Sequence, residues 1–359
     1  MTSTKQNRVV IPPARERADA QSGTLRSDNG DRAIDVIASV SRARLCVRRS
    51  VSSFGLSLAL SLTSALAISA FTQYARAADA PKVASNAAID ASAVAAHDAA
   101  GRVDPRRALL LRDVFARSVT RRLKVPAAEQ RAYGERLEQG LAQNDLGNLS
   151  GEYVVLVDRN ENVQALFIYF RAAPLDAWQM IGASPVATGR PGQFDHFITP
   201  LGVFEHTPDN MDFRAEGTMN QNGIRGYGGH DMRIFDLGWA QGERGWGKGG
   251  MSQMRFQMHA TDPDKLEPIL GVRHSKGCVR IPASLNVFLD HYGMLDRDYE
   301  ALVADGRSLW VLHSDRVVTP WAGRYIVVVD SQRKARPAWS PAPSSKVRAK
   351  VPANADTAD

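Results

Sequence analysis

The chain reads as a mainly β protein, a sandwich of mixed sheets preceded by a small helical hairpin. Two observations predict this. Apolar residues recur at helical spacing within 104–150, where Leu111, Phe115, Val119 and Leu123 follow at four-residue intervals. From Glu152 onward the pattern changes to short runs of β-branched and aromatic residues broken by turn signals.

Residues 1–77 are expected to be a leader. The run 51–71 carries no charge, follows Arg48-Arg49 and precedes Ala75-Arg76-Ala77, a small-residue cleavage pattern. A membrane role is expected only if this leader stays uncleaved. Cys46 precedes the apolar run, so it does not fit a lipid-attachment site. The leader holds 11 of the 45 Lys/Arg and 5 of the 38 Asp/Glu, so the remaining chain is close to neutral. The basic pI therefore belongs largely to the leader and gives no argument for nucleic-acid binding.

Residues 78–103, rich in Ala, Asp and Ser, read as a flexible tether. Asp104-Pro105 is a cap followed by proline at the first helical position, and opens the helical segment 104–150. A second helix starts near Pro126 and sets Tyr133, Leu137 and Leu141 on one face. The two form a hairpin expected to pack beside the β domain, because it has too little surface for its own core.

The β domain spans 151–330. Tyr153 to Asp158 and Val163 to Tyr169 are strands joined by the turn Arg159-Asn160-Glu161-Asn162. Trp178 to Thr188 and Leu201 to His206 read as further strands. Residues 217–250 hold 11 glycines without clear periodicity and are expected to form a functional loop or lid. In Met254 to His259, alternation puts Arg255, Gln257 and His259 on one face, so His259 leaves its strand on the polar side. Ala283 to His291 is a predicted helix, and Ser308 to His313 and Tyr325 to Asp330 are predicted closing strands. Residues 331–359, rich in Pro, Ser, Lys and Ala, are expected to be disordered.

The chain has two cysteines, Cys46 and Cys278, and cleavage of the leader leaves Cys278 alone. An unpaired thiol in an exported protein is a liability unless it is buried or used, and on count alone both readings stay open. Cys278 lies in His274-Ser275-Lys276-Gly277-Cys278-Val279-Arg280, 19 positions after His259. A histidine close enough to take the thiol proton would supply a thiolate as an ion pair. The scattered histidines lack zinc-ligand spacing, so no metal and no cofactor is expected.

Histidine before cysteine is the reverse of the papain-like order. With S-x-G-C-x-R at Ser275 to Arg280, Thr188-Gly189-Arg190, Thr199-Pro200-Leu201-Gly202-Val203-Phe204 and His259-Ala260-Thr261, the chain resembles the L,D-transpeptidase (YkuD-like) family over roughly 152–313. One departure is Lys276, where that family has a second histidine before the Gly-Cys pair.

The resemblance implies that Cys278 is the nucleophile and His259 the general base, oriented by the carbonyl of Ala260. It implies that Gly277 lets the Cys278 amide reach an oxyanion, that Ser275 fixes the loop, and that Arg280 holds a substrate carboxylate or braces the loop. His274 and Lys276 are candidate substrate contacts. Tyr227 and His230, in the glycine-rich segment, are candidate cleft residues.

The function implied is peptidoglycan L,D-transpeptidation in the periplasm. A tetrapeptide stem would be acylated onto Cys278 with release of D-Ala, then transferred to an amine to form a 3→3 cross-link. The expected partners are stem peptides and an amine acceptor, a lipoprotein lysine being one form of it. With water as acceptor the same thiol would make a carboxypeptidase or cross-link hydrolase. A wall-binding protein without catalysis is the alternative outside enzymes.

Overall fold

A computed structural model describes residues 104–351 and Thr357. The leader over 1–77 and the tether over 78–103 lie outside the described residues. Helix α1 (Pro105–Ser118) begins at Asp104, whose carboxylate accepts the backbone N–H of Arg106 at 3.0 Å. Helix α2 (Ala127–Ala142) follows Pro126 and buries Tyr133, Leu137 and Leu141 on one stripe.

The strands follow in the order β1 (Glu152–Asp158), β2 (Ala165–Arg171), β3 (Gln179–Pro185), β4 (Phe197–Ile198), β5 (Gly202–Glu205), β6 (Phe213–Arg214), β7 (Arg233–Arg244), β8 (Met251–Ala260) and β9 (Val279–Ile281). Helices α3 (Ala283–His291) and α4 (Arg297–Ala304), strand β10 (Tyr325–Val329) and the short α5 (Ser345–Arg348) complete the chain.

Two mixed sheets result, as the sequence predicts. The first has the order β3-β2-β1-β10-β5, with β1 and β10 parallel and the other pairs antiparallel. The second has the order β4-β7-β8-β9, with β6 also on β7 and with β8 and β9 parallel. Tyr153, Val155, Val157, Leu166, Ile168 and Phe170 share a core with Phe235, Phe256, Met258, Val279 and Ile281, so one face of the first sheet packs on the second. All of β1 and β2 is buried because the other face of that sheet is covered as well.

That cover explains a difference from the expected hairpin. The two helices lie on opposite faces of the first sheet. Ala108, Leu111 and Phe115 of α1 join the core between the sheets, whereas Tyr133, Leu137 and Leu141 of α2 pack with Val154, Leu156, Phe167 and Val327 on the far side. The Phe115 ring fills the space over Gly182, where an added Cβ would sit 2.4 Å from it. The helical stripes are legible in sequence, but what they pack against is not.

Three further expectations differ from the structure. About a third of the glycine-rich segment is the twelve-residue strand β7, whose alternation is broken by a bulge between Asp236 and Trp239 at Gly238, φ +78°. Residues 308–313 form no strand. Val311 is buried there but Trp310 is 67% exposed, and the segment pairs with no sheet. Residues 331–351, expected to be disordered, pack on the domain, the stretch around Trp339 against the first sheet and α2, and Val347 and Val351 against Leu266 and Ile269. The Trp339 ring meets Tyr133 and Phe167 edge-on at 5.8 and 5.9 Å, and Ser340 Oγ donates to the Val163 carbonyl at 2.8 Å. Composition alone hid this single aromatic anchor.

Candidate active site

The parallel pairing of β8 and β9 sets Met258 beside Val279, His259 beside Arg280 and Ala260 beside Ile281. One step back, the same register brings Gln257 level with Cys278. Met254, Phe256, Met258, Val279 and Ile281 all point into the core. Alternation therefore puts Arg255, Gln257 and His259 on the opposite face, together with Cys278 and Arg280. Thiol and imidazole occupy diagonal positions on one face of two adjacent strands.

His259 is 4% exposed, and its Nδ1 lies 2.6 Å from the carbonyl oxygen of its neighbour Ala260. Only a protonated Nδ1 can make that bond, which leaves Nε2 as the basic nitrogen. Tyr227 packs edge-on against the imidazole at 4.6 Å and donates its hydroxyl to Gln257 Oε1 at 3.0 Å. The other amide group of Gln257 donates to Asp236 Oδ2 at 3.0 Å, and Arg255 Nε donates to the same carboxylate. Asp236 itself is buried opposite Gln257 on β7. The polar face is thus cross-linked from strand to strand.

Cys278 is partly exposed, and its Sγ lies 3.8 Å from the Arg255 carbonyl. The loop before it is held at both ends. Ser275 Oγ donates to the Cys278 carbonyl at 2.6 Å and accepts the Gly277 N–H at 3.2 Å, closing a tight turn around the nucleophile. Thr199 Oγ1 donates to the Gly277 carbonyl at 2.6 Å and accepts from Gly189 N–H at 2.9 Å. Gly277 has φ +136°, and a Cβ there would meet the Met254 methyl at 2.6 Å. The Thr188-Gly189 and Thr199 motifs are therefore the scaffold of this loop.

Electrostatics set the resting charge state. Burial pushes the Cys278 thiol up to about 11, with the Gln257 backbone N–H and the Arg280 cation opposing. Burial pushes the His259 imidazole down to about 3, Arg280 adds to the fall, and the Ala260 carbonyl opposes it. Neutral thiol beside neutral imidazole is the consequence at neutral pH. Burial, the largest cause for both groups, works against the resting ion pair that the sequence suggests, and Arg280 favours the thiolate while it disfavours the imidazolium.

The remaining candidates separate. Arg280 is 2% exposed and its NH1 donates to His274 Nδ1 at 3.0 Å and to the His274 carbonyl at 3.3 Å, while NH2 donates to the Thr357 carbonyl at 2.7 Å. It braces the loop from within. His274 is buried against Arg280, and Lys276 is half-buried with its carbonyl accepting from Phe197 N–H at 3.0 Å. His230 is exposed and its Nδ1 bonds the Glu216 carbonyl, outside the cluster around His259. Gln257 and Asp236 are the members that sequence reasoning passed over. Gln257 had a signal, sharing the polar alternation of His259; Asp236, in the glycine-rich run, had none. Among the described residues, no three His, Cys, Asp or Glu side chains converge as a metal site would require.

No family model and no curated protein matches the chain. Solved structures give distant likenesses. A fused Zn-dependent amidase/peptidase/peptidoglycan-binding domain-containing protein from Clostridium acetobutylicum is 10% identical with a TM-score of 0.24, over 59% of this chain and 66% of that one. Bd1075 of Bdellovibrio bacteriovorus is 16% identical with a TM-score of 0.21, over 50% of this chain and 47% of its own length. This chain thus spans less than two thirds of either, and similarity at this level carries no weight for fold or function.

Proposed function

We propose that the protein is an exported cysteine acyltransferase of the bacterial cell wall, an L,D-transpeptidase acting on peptidoglycan stem peptides in the periplasm. The observation that carries this reading is the placing of Cys278 and His259 on one face of adjacent parallel strands, with His259 held through Nδ1. The motifs resembling that family supply the substrate class, and the uncharged run at 51–71 supplies the export.

In the first half-reaction, Cys278 Sγ attacks the carbonyl carbon between the third stem residue and the terminal D-Ala while His259 Nε2 takes the thiol proton. The Gly277 carbonyl points at Thr199, so across the trans peptide the Cys278 N–H points the opposite way, available to the oxyanion. Collapse breaks the C–N bond, and the D-Ala amine leaves with the proton from His259. A thioester remains on Cys278. An amine of a second stem then attacks the thioester, gives a proton to His259, and sulfur departs to recover it. The neutral resting pair fits this sequence, because proton transfer is drawn out by the developing C–S bond.

Intact-mass measurement of the mature protein with tetrapeptide stems tests the reading. An acyl adduct absent from Cys278→Ala is expected, followed by cross-linked dimers. Adduct followed by tripeptide alone would make the protein a carboxypeptidase, and no adduct at all would remove the thiol from the chemistry.

A further inference from the structure

The donor stem in the proposed reaction ends in a free carboxylate, one residue beyond the carbonyl that Cys278 attacks. Arg280, the cation that the sequence offers for that group, is buried and turned to His274. A second arginine stands on the thiol face. Met254 and Phe256 point into the core, so Arg255 between them projects on the side that carries His259 and Cys278. Its own carbonyl oxygen lies 3.8 Å from Cys278 Sγ.

The Arg255 guanidinium is held in a definite place. Its Nε meets Oδ1 and Oδ2 of Asp236 at 2.9 and 3.0 Å. Asp236 is buried opposite Gln257 on β7, so the arginine leans toward the level of Gln257, which is also the level of Cys278. Trp239, paired with Arg255 and 58% exposed, sets its ring centre 5.8 Å from the guanidinium carbon. Nη1 and Nη2 make no hydrogen bond among the described residues, and the side chain is 34% exposed. A guanidinium anchored through Nε presents its other two nitrogens as a fork that fits a carboxylate.

We infer that Arg255 receives the terminal carboxylate of the donor stem and so makes the protein selective for stems that end in a free acid; the inference rests on the acyl-transfer reading. The leaving nitrogen takes its proton from His259 Nε2 while its carbonyl carbon is bonded to Cys278 Sγ, so the leaving residue lies over Gln257. That is the patch toward which Arg255 leans. Gln257 is itself engaged, its amide nitrogen with Asp236 and its oxygen with Tyr227. Asp236 sharpens the requirement, because its charge reaches as far as Cys278. Without the Arg255 cation over it, Asp236 would repel a second carboxylate brought to this face.

Competition between two donors tests this: a tetrapeptide stem ending in D-Ala, and the same stem ending in D-alaninamide. Both lose the same amide bond and leave the same thioester on Cys278, so the ratio of the two released amines, read by mass spectrometry, is the ratio of kcat/KM. The unaltered protein should favour the acid about tenfold or more. Arg255→Gln should abolish that preference, and Arg255→Lys, which keeps the charge without the fork, should retain part of it. A merely structural loss would slow both donors and leave their ratio standing. Equal use of the two donors by the unaltered protein, a result that needs no variant to fold, would overturn the inference and leave acyl transfer in place. A ratio unchanged in Arg255→Gln would do the same. Release from neither donor, with no adduct on Cys278, would sink the acyl-transfer reading and this inference with it.

Discussion

The guanidinium of Arg280 donates to Nδ1 of His274 at 3.0 Å, with both side chains buried. An imidazolium could not accept that bond and would stand beside a fixed cation. Burial first and Arg280 second hold His274 well below the ordinary histidine range, and the same two causes act in the same order on His259. One arginine thus helps keep two histidines neutral on either side of the Cys278 loop.

Acid should therefore destabilise the fold through these rings. The folded-state pKa of each lies below its unfolded value, so below about 6.5 the unfolded chain binds protons that the folded chain refuses. For His259 the contribution is whole above that pH and is lost progressively as pH falls toward about 3. His259→Gln should flatten the acid limb by about 1.4 kcal/mol per pH unit between roughly pH 6 and 4, read from urea unfolding at each pH. Taking the difference from the parent protein cancels shared groups. Among these is His206, where burial is outweighed by Asp212 and the shift runs upward. Identical acid limbs would show that the folded protein already carries a charged His259.

The thiol makes a second prediction. With Cys278 at about 11, its alkylation by iodoacetamide should rise about tenfold per pH unit from 7 to 10, without a plateau near neutrality. His259→Ala should leave that resting rate within about twofold, yet lower acyl transfer at least a hundredfold, because the proton moves only during attack. A plateau below pH 7 that vanishes in the variant would establish a resting ion pair instead.

How much of this was legible in the chain varies with the kind of contact. His259 and Cys278 could be read because one strand's alternation sets the polar face and a short turn motif sets the thiol. Both are local patterns. The parallel register that brings Gln257 level with Cys278 depends on a crossover between β8 and β9, and no spacing encodes it. β7 was hidden by its own glycines, Gly238 serving a bulge where a run of glycines reads as loop. Arg280 was placed near the thiol by sequence, but its bond to Thr357, 77 residues onward, belongs to tertiary structure alone. Trp339 shows the reverse error, where average composition outvoted one well-seated ring.

Gly277 offers a test of the loop itself. At φ +136° an alanine should cost about 1–3 kcal/mol of stability through backbone strain. Its Cβ would also press on the Met254 methyl, but that methyl is the far end of a flexible chain and can swing away. A double-mutant cycle with Met254→Ala, followed by chemical denaturation, should accordingly give a coupling below about 0.5 kcal/mol. Full rescue by Met254→Ala would mean that crowding, rather than backbone conformation, selects glycine here.

Arg233 carries the largest expected loss away from the thiol. Its fully buried guanidinium pairs with Asp212 at 2.6 Å, Asp296 at 2.8 Å and Asp290 at 3.2 Å, and lies over the rings of Tyr299 and Phe235. Asp212 also accepts from buried His206 and from the Asp236 backbone N–H, so the cluster reaches β7 one residue from the bulge. Arg233→Met keeps volume and stacking but leaves buried carboxylates without their cation, which should cost about 3–5 kcal/mol. Adding Asp296→Asn to that variant should restore stability, because it removes one of the stranded charges. Unfolding monitored by tryptophan fluorescence decides the point, and a single variant within 1 kcal/mol of wild type would show that water already reaches this cluster.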